Sequence, residues 1–444
     1  MSMDSDAQGV NARAVAHCLR RVQSDPDAAA SALLQRRDEA AQAEARERDR
    51  LAWHTGGHAP LAGFVLGVKA CFDVRGWTTH AGSRVLAETP VAREDAALVR
   101  ALRQAGAVLL AQNNMTEFAY GALGLNAVFG TPLSPLLTDV PRVAGGSTSG
   151  GALAVAKGMV SIALGSDTSG SARIPAAFCG VAGFKPSKGR YDDGGMMLLS
   201  PSFDVPGMLA ADAAGGLLVD KALAPWETGG AVDVLDAAMP LAGKRFAVPE
   251  GVQAELEPEV RRWFEDGLTR LRLAGAELWT VPMPSLRLAG GAARDGGIIA
   301  AEAYALHAQR LQHEAGLYDP RVGPRMLLGA TVTAHAYVAA QRRLLALRMQ
   351  YDDELAGADA VLTPTVPMLP PPLASLDDSD VYLRENARAF SLTEFANRLD
   401  LPSISVPVAR AARQPIGLLA TGRRGGDRAL LELACRIGGV LDAS

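Results

Sequence analysis

The chain has 444 residues, enough for two or three domains of about 100–200 residues or for one large α/β unit. Its hydrophobic set of 48% against 21% charged residues excludes a disordered chain, which combines low hydrophobicity with high net charge. The formal charge is only −4 and no basic block is present, so no nucleic-acid partner is expected.

The first residues, MSMDSDAQ, contain no apolar h-region, so no secretory leader is expected. Apolar runs break at Gly, Lys or Pro short of the roughly 18 residues a span needs, so no membrane helix is expected either. Residues 1–50 are Ala- and Arg-rich and read as helical, with charges facing water. The expected organisation is an N-terminal helical arm over 1–55, packed on one compact unit over 56–444. The run Phe64–Val68 is strand-like and leads into Lys69. Residues 94–105 place Ala97, Leu98, Ala101, Leu102 and Ala105 at helical spacing. Gly106 can stop that helix, and Ala107–Ala111 reads as a buried strand.

Small residues crowd two loops at 144–151 and 165–171, with a short Ala-rich helix and the strand Val160–Leu164 between them. Further on, Val260, Trp263, Phe264, Gly267, Leu268 and Leu271 share one helical face, followed by Gly275 and the strand-like Ala276–Val281. Pro364–Pro372 is a stiff connector. Helices alternating with strands predict an α/β fold: a central mixed, mostly parallel sheet covered by helices on both faces. The scattered cysteines Cys18, Cys71, Cys179 and Cys435 form no CxxC and fit free thiols in a reducing cytoplasm.

The Gly/Ser loops do not match a phosphate cradle. Between Gly151 and Lys157 the P-loop spacing is wrong, and Gly145-Gly146…Gly150 is no dinucleotide fingerprint. No GxSxG elbow surrounds Ser147, Ser149, Ser169 or Ser171. None of the seven histidines sits in a catalytic or metal motif. What remains is a serine activated without histidine. A hydroxyl needs a base at neutral pH, and a lysine can supply it once burial lowers its pKa. Among the six lysines, Lys69 stands out by its apolar approach.

At these residues the chain resembles the amidase signature family. The resemblance is carried by PLAGFVLGVK (60–69), NNMTEFAYGALGLNAVFGTPLSP (113–135) and the block from GGSTSGG to GFKPSKGR (145–190). It continues through TPTVP (363–367), LPSISVP (401–407) and PIGLLATG (415–422). The resemblance implies the amidase signature fold over 56–444 and a Ser–Ser–Lys triad. Ser171, closing GSDTSGS, matches the nucleophile. Ser147, 24 residues earlier, matches the bridging serine after a cis Gly146–Ser147 bond, and Lys69 matches the base. The backbone of Thr168, Ser169, Gly170 and Ser171 matches the oxyanion hole. Ala119, Tyr120, Gly121, Ala122 and Leu123 match the substrate-facing loop. Two departures stand out: Ala70 and Cys71 follow the lysine where Asp is usual, and the serine loop reads GGSTSGG rather than GGSSGGS.

The implied activity is hydrolysis of a carboxamide C–N bond in a small amide or urea-like substrate through an acyl-enzyme. The alternative is the amidase subunit of a tRNA-dependent Asp/Glu amidotransferase. No cofactor or metal is implied. The expected partner is the small amide substrate, with a homodimer left open. Tyr318, Arg321, Arg325, Tyr337 and Arg388 are candidates for recognising a carboxylate on it.

Overall fold

Short aliphatic runs, most of them buried along their whole length, make the strands. Burial on both faces explains why these runs are continuously apolar instead of alternating. In the computed structural model, which describes residues 9–224, 227, 241–408 and 414–442, eleven strands form one sheet. They are β1 (Leu33–Arg36), β2 (Val65–Lys69), β3 (Val108–Asn113), β4 (Ile162–Asp167), β5 (Ala182–Lys185) and β6 (Val205–Ala210). They continue as β7 (Arg245–Pro249), β8 (Glu277–Val281), β9 (Ala360–Pro364), β10 (Ser403–Pro407) and β11 (Gly417–Thr421). Across the sheet the order is β1-β3-β2-β4-β6-β5-β10-β11-β9-β7-β8.

The fold is α/β with a large mixed sheet flanked by helices. Its balance differs from the mostly parallel sheet expected: six of the ten neighbouring pairs are antiparallel. The helix–strand alternation legible in sequence belongs to the two flanks. There β3-β2-β4 and β9-β7-β8 are parallel, with helices Ala97–Gln104 and Pro258–Leu273 leading into β3 and β8. The middle strands are antiparallel, and of these pairs β5-β6 is joined by a connection without a helix.

Side-chain alternation feeds two cores. Leu66, Val68 and Leu109 enter the large cluster on one face, while Val65, Val108 and Leu110 enter the cluster under the N-terminal helices, as the two-residue period of a strand requires. The N-terminal segment is not wholly helical. Helices Val10–Ser24, Pro26–Ala32 and Asp38–Thr55 surround β1, which pairs antiparallel with β3 at the sheet edge. Four residues of extended LLQR are too short for a clear two-residue period, which hides the strand inside an Ala-rich stretch. Among the described residues no helix is long and apolar enough to cross a membrane.

Asn114, just past β3, ties this segment to the serine loops. Its backbone N–H donates to Ala32 O at 2.9 Å, and its Nδ2 donates to Ser31 O at 2.8 Å and Gly130 O at 2.9 Å. Its carbonyl accepts from Gly150 N at 3.0 Å. Gly150 is required there, since a Cβ would lie 2.5 Å from Ala32 O. Asn114→Ala leaves the buried Met115 N–H, which donates to Asn114 Oδ1 at 2.7 Å, without its acceptor and is expected to cost about 1–3 kcal/mol. A urea melt checks this: the midpoint should fall with the slope unchanged.

Candidate active site

Parallel pairing of β2 with β4 aligns Val68 with Leu164, so the two strands deliver Lys69 and Ser166 side by side. The Lys69 side chain is wholly buried. Its Nζ lies 2.7 Å from Ser147 Oγ and 2.8 Å from Ser166 Oγ. Burial pulls the ammonium below its ordinary value of 10.5, against attraction from Cys71, Asp167 and Asp204.

The loop after β3 and the loop after β4 are stitched together around this amine. The Gly146–Ser147 peptide is cis. Gly146 N donates to Ala122 O at 2.6 Å, Thr116 N donates to Ser147 O at 3.1 Å, and Thr148 N donates to Ser171 O at 3.1 Å. Ser147 and Ser171 therefore sit on neighbouring stretches of one hydrogen-bonded assembly.

Asp167 ends β4 and organises the loop that follows. Its carboxylate forms a fully buried pair with Arg173, at 2.9 and 3.0 Å. It also accepts from Gly170 N at 2.8 Å, Ala172 N at 3.0 Å and Asn397 Nδ2 at 2.9 Å. Burial favours its neutral form, but the Arg173 charge and these bonds outweigh burial and hold the carboxyl well below its ordinary value. Nearby, Asp204 accepts from Thr168 Oγ1 at 2.5 Å and from Leu199 N and Ser200 N. Its carboxylate has neutral donors where Asp167 has a guanidinium, so burial wins and lifts its pKa to about 6.

The outer side of the loop is clamped from far along the chain. Arg398 donates to Thr168 O at 2.9 Å and Ser169 Oγ at 2.8 Å, and Thr393 Oγ1 donates to Ser169 O at 2.6 Å. Gly170 has φ +141°, and a Cβ there would lie 2.3 Å from Thr393 Oγ1. Its N–H is taken by Asp167, so it does not join an anion-binding set as expected. The N–H groups of Thr168, Ser169 and Ser171 have no protein acceptor among the described residues.

These three residues line a cavity of about 310 Å³. Ala119, Tyr120 and Gly121 form another wall. Ala122 and Leu123 do not: they are buried in a hydrophobic cluster behind it, with Ala122 N bonded to Asn386 Oδ1 at 2.8 Å. Of the five residues considered for carboxylate recognition, only Arg325 lines the cavity among the described residues. Tyr318 is buried against His307, and Tyr337 donates to Glu302. Arg321 pairs with Asp319, and Arg388 with Glu257.

Sequence reasoning missed Ser166, Thr393, Asn397 and Arg398, which bond the lysine or the serine loop, and Arg294 and Glu394, which line the cavity. Ser166 was legible in principle, one step before Asp167 on the strand parallel to β2. The others lie far from the serines in chain order and carry no motif that announces them.

The family model for amidases matches residues 13–431. A 2-amino-5-chloromuconic acid deaminase of Comamonas testosteroni is 31% identical over 384 residues, covering 85% of this chain and 81% of that protein. A glutamyl-tRNA(Gln) amidotransferase subunit of Halobacterium salinarum is 32% identical over 413 residues, covering 85% and 95%. Among solved structures, an amidase superposes with a TM-score of 0.84 at 31% identity, covering 97% of this chain and 96% of that one. The large mixed sheet flanked by helices is thus a fold held in common with a solved amidase. The chain belongs to the amidase family and is a hydrolase of carbon–nitrogen amide bonds.

Removing one member of the buried pair leaves the other uncompensated. Asp167→Asn is expected to destabilise the fold by about 3–5 kcal/mol. Thermal unfolding of the variant beside the parent checks this.

Proposed function

We propose that the chain hydrolyses a small amide or urea-like substrate through an acyl-enzyme on Ser171, with Ser147 and Lys69 as the proton relay. The observation that carries this reading is a wholly buried lysine amine at 2.7 Å from Ser147 Oγ. Neutral Lys69 donates an N–H to Ser166 and keeps its lone pair for the Ser147 proton. Ser147 in turn takes the proton of Ser171, whose Oγ attacks the substrate carbonyl carbon. The carbonyl oxygen becomes an oxyanion held by the N–H groups of Thr168, Ser169 and Ser171; one such donor is worth roughly 10²–10³ in rate. The C–N bond breaks as the relay returns its proton to the leaving nitrogen. Water, deprotonated by the same relay, then attacks the acyl carbon and frees Ser171.

Arg325 supports a finer reading, in which the substrate carries a carboxylate. Its Nη1 donates to Tyr120 O at 2.9 Å, and its guanidinium stacks 4.3 Å from the Tyr120 ring centre, on the cavity wall. The planar fork suits a carboxylate. The four buried free thiols support a reducing cytoplasm.

A fluorophosphonate probe should label the native protein and fail on Ser171→Ala. Undiminished labelling of that variant would refute the nucleophile. Activity should rise with pH along a limb whose midpoint lies below 10.5, because only neutral Lys69 accepts a proton. Lys69→Arg should abolish this limb and the activity together, since guanidinium stays charged. Arg325→Gln should raise KM for carboxylate-bearing amides and spare neutral ones of equal size. The purified chain alone should release ammonia from simple primary amides; activity only after a partner subunit is added would favour the amidotransferase reading.

A further inference from the structure

Phe118 and Ala119, which lead into the cavity wall, have φ of 48° and 59°. Non-glycine residues enter that region rarely, so the surroundings must hold them there. Glu117, directly before them, is buried and uses both carboxylate oxygens. Oε1 accepts from Ser83 Oγ at 2.6 Å, and Oε2 accepts from the backbone N–H of Asp319 at 2.7 Å. Both partners are neutral. Burial pushes the carboxyl above its ordinary value while these two bonds pull it back.

Asp319 begins the turn that presents Arg325. Its carbonyl accepts from Val322 N at 2.8 Å and Gly323 N at 3.1 Å, opening the short helix Gly323–Leu327. Arg325 on that helix returns to the first loop through Tyr120 O. The two segments, about 200 residues apart, therefore grip each other at two points: Glu117 with Asp319, and Tyr120 with Arg325. The Phe118 ring fills the space between them, 5.4 Å from Tyr318 and 4.3 Å from His307.

We propose that Glu117 is a positioning residue for substrate selection: by holding the Asp319 N–H it registers the Arg325 guanidinium on the cavity wall. It touches neither substrate nor the reacting atoms. This rests on the reading of Arg325 as the carboxylate-binding group. The Glu117 carboxylate is the clamp because it spans Ser83 on one side and the Arg325 turn on the other.

The test compares a carboxylate-bearing amide with a neutral amide of equal size. Glu117→Ala should raise KM for the former about tenfold, the effect of losing a hydrogen bond to a charged group. kcat and the neutral amide should change less than about threefold, because the interaction removed acts on binding alone. Glu117→Gln should restore KM, since its carbonyl can accept from Asp319 N–H while its NH₂ donates to Ser83. On an Arg325→Gln background, Glu117→Ala should add no further discrimination between the two amides. Glu117→Met, similar in volume but without the acceptor oxygens, replaces Ala if that variant does not fold. Equal losses on both amides, additivity with Arg325→Gln, or a Gln variant as poor as Ala would each overturn the proposal. An Arg325→Gln enzyme whose losses on the two amides are equal would overturn the carboxylate reading and this inference together. Discrimination lost with Arg325→Gln but kept in Glu117→Ala would overturn this inference alone.

Discussion

The pairing of Asp167 with Arg173 is the interaction around which the serine loop is built. Neither side chain has solvent contact. A buried ion persists only if its charge is matched and its remaining lone pairs are filled. Arg173 supplies the charge, and Gly170 N, Ala172 N and Asn397 Nδ2 supply the rest. The chain between the two charges is thereby wrapped around the carboxylate. With the inner N–H groups of Gly170 and Ala172 spent on Asp167, those of Thr168, Ser169 and Ser171 remain for the cavity side.

The same balance of charge bears on the lysine. An amine beside free carboxylates would keep its proton. Here Asp167 is matched by Arg173, and the pull that Asp167 and Asp204 still exert on the ammonium is a smaller effect than burial. Burial of Lys69 between β2 and β4 then dominates, and the amine is pulled toward its neutral form. Ser147 and Ser166 offer it two hydroxyls, which a neutral amine can use as one acceptor and one donor. Stability and reactivity thus rest on one local arrangement, the ends of β2 and β4 and the loop beyond.

The wall opposite the serines has a different origin. Arg294, Arg325, Glu394 and Arg398 come from helices in the second half of the chain, and they meet loop 119–121 across the cavity. Arg398 also clamps the serine loop, through Thr168 O and Ser169 Oγ. Relatives as different as a muconic acid deaminase and an amidotransferase component match this chain over most of its length. That breadth fits a fold that hosts more than one reaction, so that what each protein acts on is set by its site and not by the fold.

Much of the serine side was legible in the sequence. Lys69 announced itself by the apolar run before it, the Gly/Ser loops by composition, and the flank helices and strands by period. These are local signals: a period, a stop residue, a motif within a few dozen positions. The resemblance then supplied Ser147 and Ser171 by position. The centre of the sheet was not legible, because strand direction depends on long-range pairing and leaves no mark on a five-residue apolar run. Nor were Glu117 and Arg398. A charged residue in a sequence is read as a solvated surface charge until folding brings partners to it, and here those partners are Asp319 N–H for Glu117 and the serine loop for Arg398, some 200 residues away. The sequence by itself determined which residue types could do the chemistry and where their loops begin. Only the tertiary structure decided which N–H groups stay free, which of Ala119–Leu123 face the cavity and which arginines reach it, because burial and hydrogen-bond saturation are properties of packed neighbours and not of chain order.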